Sequence, residues 1–331
     1  MKKLINKPEN YVDEVLAGMQ AAHPETYQVG GATGRMLHRP KPVAGKVGVV
    51  SGGGFGHIPV FAGYVGDGLL DACAVGDVFA SPDMNPMLDS IQFADQGKGV
   101  LCVVGNYGGD RMNFDMVCEM AEMDDIVARK VIVSDDVAAA GPQEAEKRRG
   151  VAGFVFVTKV AGAAAAAGQS LDEVETITQR AADNVRSVGV ALSSCTVPQA
   201  GQPTFDIADD EMEIGMGIHG EPGVRRGKLR PVDEVTDEMV EMLLADKPVS
   251  NGSRIALLVN GLGATPVEEL YLVFRQARAR LEAAGAVIAQ HMVGNYATSM
   301  EMAGASLTVL HLDDDLEALV KAPANCPFWK I

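Results

Sequence analysis

An α/β protein of two domains, each with a largely parallel or mixed sheet flanked by helices, is the architecture that this sequence predicts. Three observations carry the expectation. The 331 residues exceed what a single hydrophobic core ordinarily serves, because chains beyond about 250 residues tend to split into domains. Short apolar runs of strand type alternate with stretches of helical period. Several of those runs end in glycine-rich loops, as strand–loop–helix units of a parallel sheet do.

The first such unit is KVGVVSGGG at 46–54, an apolar run that passes into three glycines. GVLCVVGNYGGD at 99–110 repeats the design, with a loop of glycine, asparagine and aspartate. A helix is expected over 112–123, where Met112, Val117 and Met120 are spaced for one face. RKVIVSDDVA at 129–138 supplies a third strand that ends in two aspartates. The segment 150–192 opens as an apolar strand or helix start and continues as two helices. Glycine and proline then interrupt the chain, with short strands through EMEIGMGIHGEPG. RPVDEVTDEMVEMLLADK is helical, with Val235, Met239 and Leu243 on one face. SRIALLVNGLGATPVEELYLVFRQARARLEAAG is again strand, glycine loop and helix, and SLTVLHLDDDLEALVKAP adds a last strand and short helix. The boundary is expected near 185–195, dividing the chain into 1–188 and 189–331. Ligands of such sheets bind at the C-terminal ends of strands. The loops at 51–59 and 105–110 are therefore the first places to look for a site.

A formal net charge of −16 repels phosphate backbones and anionic bilayers, so neither nucleic acid nor membrane is an expected partner. Arg225, Arg226, Lys228 and Arg230 make one local basic cluster. No apolar stretch reaches the ~20 residues of a bilayer span. The N-terminal MKKLINKPENYVDE lacks the apolar core of a signal peptide, and a cytoplasmic location is expected. The five cysteines show no CxxC spacing and read as reduced thiols.

Four loops hold residues able to do chemistry. VVSGGGFGHIP fits neither GxGxxG nor GxxxxGK[ST]. Its bare glycines serve either a tight turn or the close approach of a ligand to backbone N–H groups. His57, which follows, is either structural or a ligand contact. In GNYGGD, Asp110 is either a helix N-cap or a general base. The glycines of VNGLGATP are read as structural, serving a turn or a domain contact. His219 stands in EIGMGIHGEPG, among glycines 215, 217, 220 and 223. No second ligand stands at metal spacing, and Glu221 is too close in sequence to share a metal easily. An imidazole that is neutral near pH 7 and held by tight backbone is a candidate base or nucleophile.

In order along the chain, KVGVVSGGGFGHIP, NYGGDRMNF, RRGVAGFVFVTKVAGAAAAAG, SSCTVP, EMEIGMGIHGEPG and VNGLGATPVEELY resemble the substrate-binding K subunit of dihydroxyacetone kinases. The resemblance runs over essentially the whole chain. It implies that His219 adds through a ring nitrogen to the ketone carbon of dihydroxyacetone, giving a hemiaminal that glycerol cannot form. It implies His57 as a hydrogen-bonding partner of the substrate and Asp110 as the general base on its terminal hydroxyl. The backbone around Gly54, from Gly53 to Phe55, is implied as a further substrate contact. Some positions depart from the family pattern. Phe55 and Ile58 stand where serine and glutamate are usual. Gly105 replaces a lysine that contacts substrate oxygen. A lost charged hydrogen bond costs about 1.5–3 kcal/mol, and glycine leaves room. A larger or less polar ketose such as a four-carbon one, or a paralogue that binds without efficient phosphorylation, is therefore implied.

No cofactor or metal is expected on this chain. The family holds its nucleotide and magnesium on a separate helical L domain, for which these residues leave no room. Mg-ATP or Mg-ADP is accordingly expected on an L-type partner subunit, supplied from ATP directly or through a phosphoenolpyruvate relay. A homodimer is implied. The expected function is that of the hydroxyketone-binding subunit of a phosphotransferase, with a ketose-sensing transcriptional coactivator as the alternative. A nucleotide-dependent dehydrogenase would rest on the glycine loops alone.

Overall fold

The computed structural model describes residues 2–331. Two mixed six-stranded sheets organise the chain. The first contains β1 (Gln28–Gly30), β2 (Met36–His38), β3 (Gly48–Phe55), β4 (Ala72–Val78), β5 (Val100–Gly105) and β6 (Ala128–Val133), in the order β1-β2-β4-β3-β5-β6. β3 pairs in parallel with β4 and β5, and β5 with β6, while β1 and β2 add antiparallel. The central strands β3 and β5 are buried at every residue, which is why they read as unbroken apolar or glycine runs rather than alternating ones.

Helices cover both faces of this sheet. α2 (Met84–Ala94) and α3 (Gly108–Glu122) pack on one side through Met87, Ile91, Phe114 and Val117. α1 (Tyr11–Ala22), α4 (Phe154–Ala166) and α5 (Leu171–Asn184) belong to the other core. The apolar segment after 150, open between strand and helix in the sequence, is helix α4. It is buried along almost its whole length, as a helix apolar on every side must be. Its core also takes in Ala256, Leu258 and Leu310 from the second sheet, so one apolar body joins the two halves.

The second sheet contains β7 (Val185–Ala191), β8 (Glu211–Ile214), β9 (Arg225–Lys228), β10 (Arg254–Gly261), β11 (Val287–Gly294) and β12 (Gly304–His311). Its order is β11-β10-β12-β7-β8-β9, and β10–β11 is its one parallel pair. α6 (Val232–Asp246) and α7 (Val267–Ala283) cover it, with Val235, Met239 and Leu243 buried as their spacing predicts. The chain then returns to the first half. α8 (Asp314–Lys321) packs on α4, and Asp67 and Asn325 exchange backbone hydrogen bonds of 3.0 and 2.9 Å.

Details of the sequence reading change. Residue 188 falls inside β7, because the second sheet takes over the chain from Val185. The buried face of α3 is Phe114, Val117 and Ala121, whereas Met112 is exposed. The basic cluster is neutralised along the edge of the sheet: Arg225 and Arg230 share Glu238, Arg226 pairs with Glu213, and Lys228 pairs with Asp210. Charged edge strands of this kind resist edge-to-edge pairing. Among the described residues, no helix is long and apolar enough to cross a membrane.

Candidate functional site

The C-terminal ends of β3 and β5 meet the loop that follows β8, and the three carry His57, Asp110 and His219. His57 lies two residues beyond the end of β3. Its Nδ1 lies 2.7 Å from the Thr298 carbonyl oxygen. A carbonyl only accepts, so Nδ1 carries the proton and Nε2 keeps its lone pair. That Nε2 is buried without a hydrogen-bond partner. The ring stacks on Phe79 (centroids 4.9 Å apart, planes at 17°) and meets Phe61 edge-on. Burial, helped by the neighbouring His219, lowers the His57 pKa to about 3, so the ring is a neutral acceptor at working pH. Phe79 adopts φ +59°, a left-handed conformation that costs a bulky residue on the order of 1 kcal/mol or more.

The second half of the chain clamps this loop. Met300 N–H donates to Gly56 O at 2.8 Å, and the Thr298 hydroxyl donates to Ile58 O at 3.0 Å. Asn260 orders the clamp: its amide donates to Ala297 O (2.7 Å), and its oxygen accepts from Tyr296 and Ala297 N–H (2.8 Å each). Asn260 of the VNGLGATP stretch thus orders the segment that reaches across to the first half.

His219 is held by its near neighbour Glu221. The carboxylate accepts from the His219 backbone N–H at 2.9 Å and lies 3.0 Å from Nδ1. Nδ1 donates to it, so that in the neutral ring the lone pair is on Nε2. Burial works to raise the Glu221 carboxyl, but the hydrogen bond and charge from His219 outweigh it and hold it at about 2. Three rings surround the imidazole: Tyr107 at 4.7 Å, His57 at 4.8 Å and Phe79 at 5.2 Å between centroids. Arg149 fixes the loop from behind, donating to Asp136 at 2.8 Å and to Gly215 O at 2.7 Å. Gly217 shows why the loop is bare: a Cβ there would collide with the Glu221 carboxylate and the Arg149 guanidinium.

Asp110 lies in the first turn of α3, whose N-cap is Tyr107, so it is not the cap itself. It is buried, and its Oδ1 has no partner. Burial raises its pKa, against the opposing pull of the Ser81 hydroxyl and His219. Gly53 is bare because the Phe61 ring fills the place of a side chain there, and Gly54 lies against the Phe79–Ala80 backbone. The Phe55 side chain does not join this group: its ring meets Tyr11 of α1, 6.0 Å away, and lines a groove with Lys3 to Ile5, Val15 and Ile58. Phe55 and Ile58, two of the departures from the family pattern, thus line this groove. Gly105 adjoins the site, but a Cβ there would already meet the Tyr107 ring at 3.3 Å.

Sequence reasoning missed Glu221 as an orienting group, Tyr107 and Phe79 as walls, and Thr298 as the acceptor that sets the His57 tautomer. Glu221 alone left a signal, as a carboxylate two residues from a histidine. Among the described residues, no three His, Cys, Asp or Glu side chains gather to hold a metal ion.

The Dak1 domain model matches residues 17–328. The chain belongs to the Dak1 family. The dihydroxyacetone-binding subunit DhaK of the PTS-dependent dihydroxyacetone kinase 1 from Listeria innocua is 43% identical to this Dak1 chain, over 99% of the chain and 100% of the relative. L-erythrulose 1-kinase from Mycolicibacterium smegmatis is 40% identical, over 100% of this chain but 58% of the enzyme. Among solved structures, the dihydroxyacetone kinase of C. freundii in complex with AMP-PNP and Mg2+ superposes with a TM-score of 0.92 at 33% identity, covering 99% of the Dak1 chain and 61% of that one. The dihydroxyacetone kinase operon co-activator Dha-DhaQ gives 0.90 at 32% identity, covering 96% and 98%.

Proposed function

We propose that this chain is the ketose-binding subunit of a hydroxyketone kinase and that it holds its substrate covalently on His219. The observation that carries the reading is the pair Glu221–His219, which leaves Nε2 as a free nucleophile beside two buried polar atoms, His57 Nε2 and Asp110 Oδ1, that have no protein partner. Nε2 adds its lone pair to the ketone carbon, and the C=O π electrons move to oxygen. The imidazolium so formed loses its Nδ1 proton, and the alkoxide gains one. The product is a neutral hemiaminal with all atoms of the ketose retained. Glu221 stabilises the positive ring during addition. His57 Nε2 accepts a hydrogen bond from a substrate hydroxyl. Asp110, ionised, takes the proton of the terminal hydroxyl as that oxygen attacks phosphorus.

The phosphoryl group would come from an L-type partner subunit carrying Mg-ATP or Mg-ADP, and the chain would work in the cytoplasm as a homodimer. The full-length likeness to a subunit named for dihydroxyacetone binding supports this division of labour. A ketose-sensing coactivator is the second reading, favoured by the likeness to Dha-DhaQ. Asp110 argues for the kinase, because a sensor gains nothing from a buried base. A four-carbon ketose belongs to the same reading, supported by Gly105 and by the likeness to an erythrulose kinase. The test is reconstitution with an L-type subunit and a coupled phosphorylation assay on dihydroxyacetone and erythrulose. Turnover of either supports the kinase. Ketose capture without turnover by any partner supports the sensor. Erythrulose is expected to be used at least as well as dihydroxyacetone, and Gly105→Lys, which must displace Tyr107, to shift preference toward the smaller ketose.

A further inference from the structure

The motif RRGVAG sets two arginines side by side, and the proposed chemistry uses neither. Arg148 is fully buried and Arg149 nearly so, and each is paired with a buried aspartate. Their partners differ. Arg148 pairs with Asp246 of α6 and donates to Ala140 O at 2.8 Å, and none of its bonds reaches the His219 loop. Arg149 pairs with Asp136, from Nε at 2.8 Å and from Nη2 at 2.7 Å. Asp136 is itself fixed: its Oδ1 accepts from Ala138 N–H at 3.1 Å, and its own N–H donates to Arg149 O at 3.1 Å. From this anchor in the first half the guanidinium reaches into the second. Nη2 donates to Gly215 O at 2.7 Å and Nη1 to Glu221 O at 3.4 Å. Those two carbonyls bracket His219. Gly215 directly follows β8, and Glu221 carries the carboxylate that meets the imidazole. Between them the chain forms neither helix nor strand. Its own backbone bonds are Gly217 N–H to Glu221 O and Gly220 N–H to Gly217 O, both 3.0 Å. A planar guanidinium with five N–H groups serves a carboxylate and two carbonyls at once, which the point charge of a lysine does not.

We infer that Arg149 is a positioning residue for ketose capture: anchored on Asp136, it fixes both ends of the His219 loop and so sets the Glu221 carboxylate against Nδ1. It acts through the loop, as groups behind a reacting side chain do when they hold it in its working geometry. The inference rests on the proposed capture of a ketose by His219.

The test compares Arg149→Lys with Arg148→Lys in the full chain. Each keeps a charge beside its aspartate, so neither leaves a buried carboxylate unpaired, and the melting temperature shows that both fold. Three readouts are taken: the adduct fraction against dihydroxyacetone concentration, steady-state turnover with an L-type subunit, and the His219 Nδ1 proton resonance by NMR without ketose. Arg149→Lys should weaken capture about tenfold, raise KM with kcat unchanged, and move the Nδ1 resonance. Arg148→Lys should change none of the three, even where it lowers the melting temperature as far. Asp136→Asn, which loosens the anchor without touching the loop, should weaken capture in the same direction as Arg149→Lys. Equal weakening by Arg149→Lys and Arg148→Lys would make Arg149 a structural ion pair and overturn the assignment. So would an unchanged adduct curve in Arg149→Lys, or a fall in its kcat at unchanged KM. If the wild-type chain captures no ketose, the ketose reading fails by itself and the Nδ1 resonance still decides: a shift confined to Arg149→Lys supports the positioning role, and a resonance identical to wild type overturns it.

Discussion

Asp110, buried, and Glu221, half-buried, are two carboxylates with opposite tuning. Glu221 is held at about 2 by its imidazole partner against the effect of burial, so it stays ionised and orients. Asp110 is raised by burial, and its Oδ1 is buried without a partner, as the proposed proton acceptor requires. Asp110→Asn should leave ketose capture intact and lower phosphoryl transfer by ~10²–10⁴-fold, the range of a general base; near wild-type turnover would reduce Asp110 to a structural acid. Transfer needs the ionised form, so the acid limb of kcat/KM should lie above the ordinary aspartate pKa. Glu221→Gln removes a charged hydrogen bond to Nδ1, and ketose affinity should fall about ten- to hundredfold, read as the adduct fraction against ketose concentration. An unchanged adduct curve would mean that backbone alone orients His219. His219, Asp110 and His57 were legible as candidates because polar groups in glycine-rich loops at strand ends have few structural uses. Tyr107, Phe79 and Thr298 were not, because a ring or a carbonyl becomes functional only through what the fold sets beside it.

At the scale of elements, the glycines divide into kinds that sequence alone could not separate. Gly217 makes room for the carboxylate and guanidinium that hold the His219 loop. Gly217→Ala should destabilise the chain by about 1–3 kcal/mol, as overpacking does, and weaken ketose capture beyond any effect of unfolding. Denaturant titration alongside adduct measurement separates the two, and full capture with unchanged stability would show that the loop tolerates a Cβ. The strands β3, β5, β6, β10 and β12 were readable as apolar runs between glycine loops, and α6 from its spaced apolar residues. The strand-or-helix ambiguity of α4 came from a segment apolar on every side, in which no period survives. The buried face of α3 was misread because methionine sits as readily on its exposed side, at Met112 and Met116, as in the core. The mixed pairing of the second sheet was hidden because β7, β8 and β12 pair across long separations in sequence.

At the scale of the whole molecule, a seam joins the two halves, and burial lowers the pKa of His38, His57 and His311. His57, lowered to about 3, and His311, lowered to about 4, are both kept neutral chiefly by burial. The unfolded chain protonates them near the ordinary 6.5, so it binds more protons than the folded chain between about 3 and 6.5. Stability is therefore fully present above 6.5 and is lost as pH falls toward the folded values. His57 alone contributes roughly 4–5 kcal/mol across that window. Urea unfolding from pH 7 to 4 should show wild type losing stability faster than His57→Gln; parallel curves would mean that His57 is solvated. The seam also joins His57 and His219, which come from opposite halves, so the proposed capture of the ketose requires the assembled molecule. Intact mass spectrometry under native conditions, without borohydride, tests that capture most directly. With dihydroxyacetone or erythrulose, the wild-type chain should gain the mass of one whole ketose with no loss of water, as a hemiaminal requires. The His219→Ala chain should gain nothing, and glycerol should add to neither. An adduct that persists in His219→Ala, or one that forms with loss of water, would contradict the covalent role of His219.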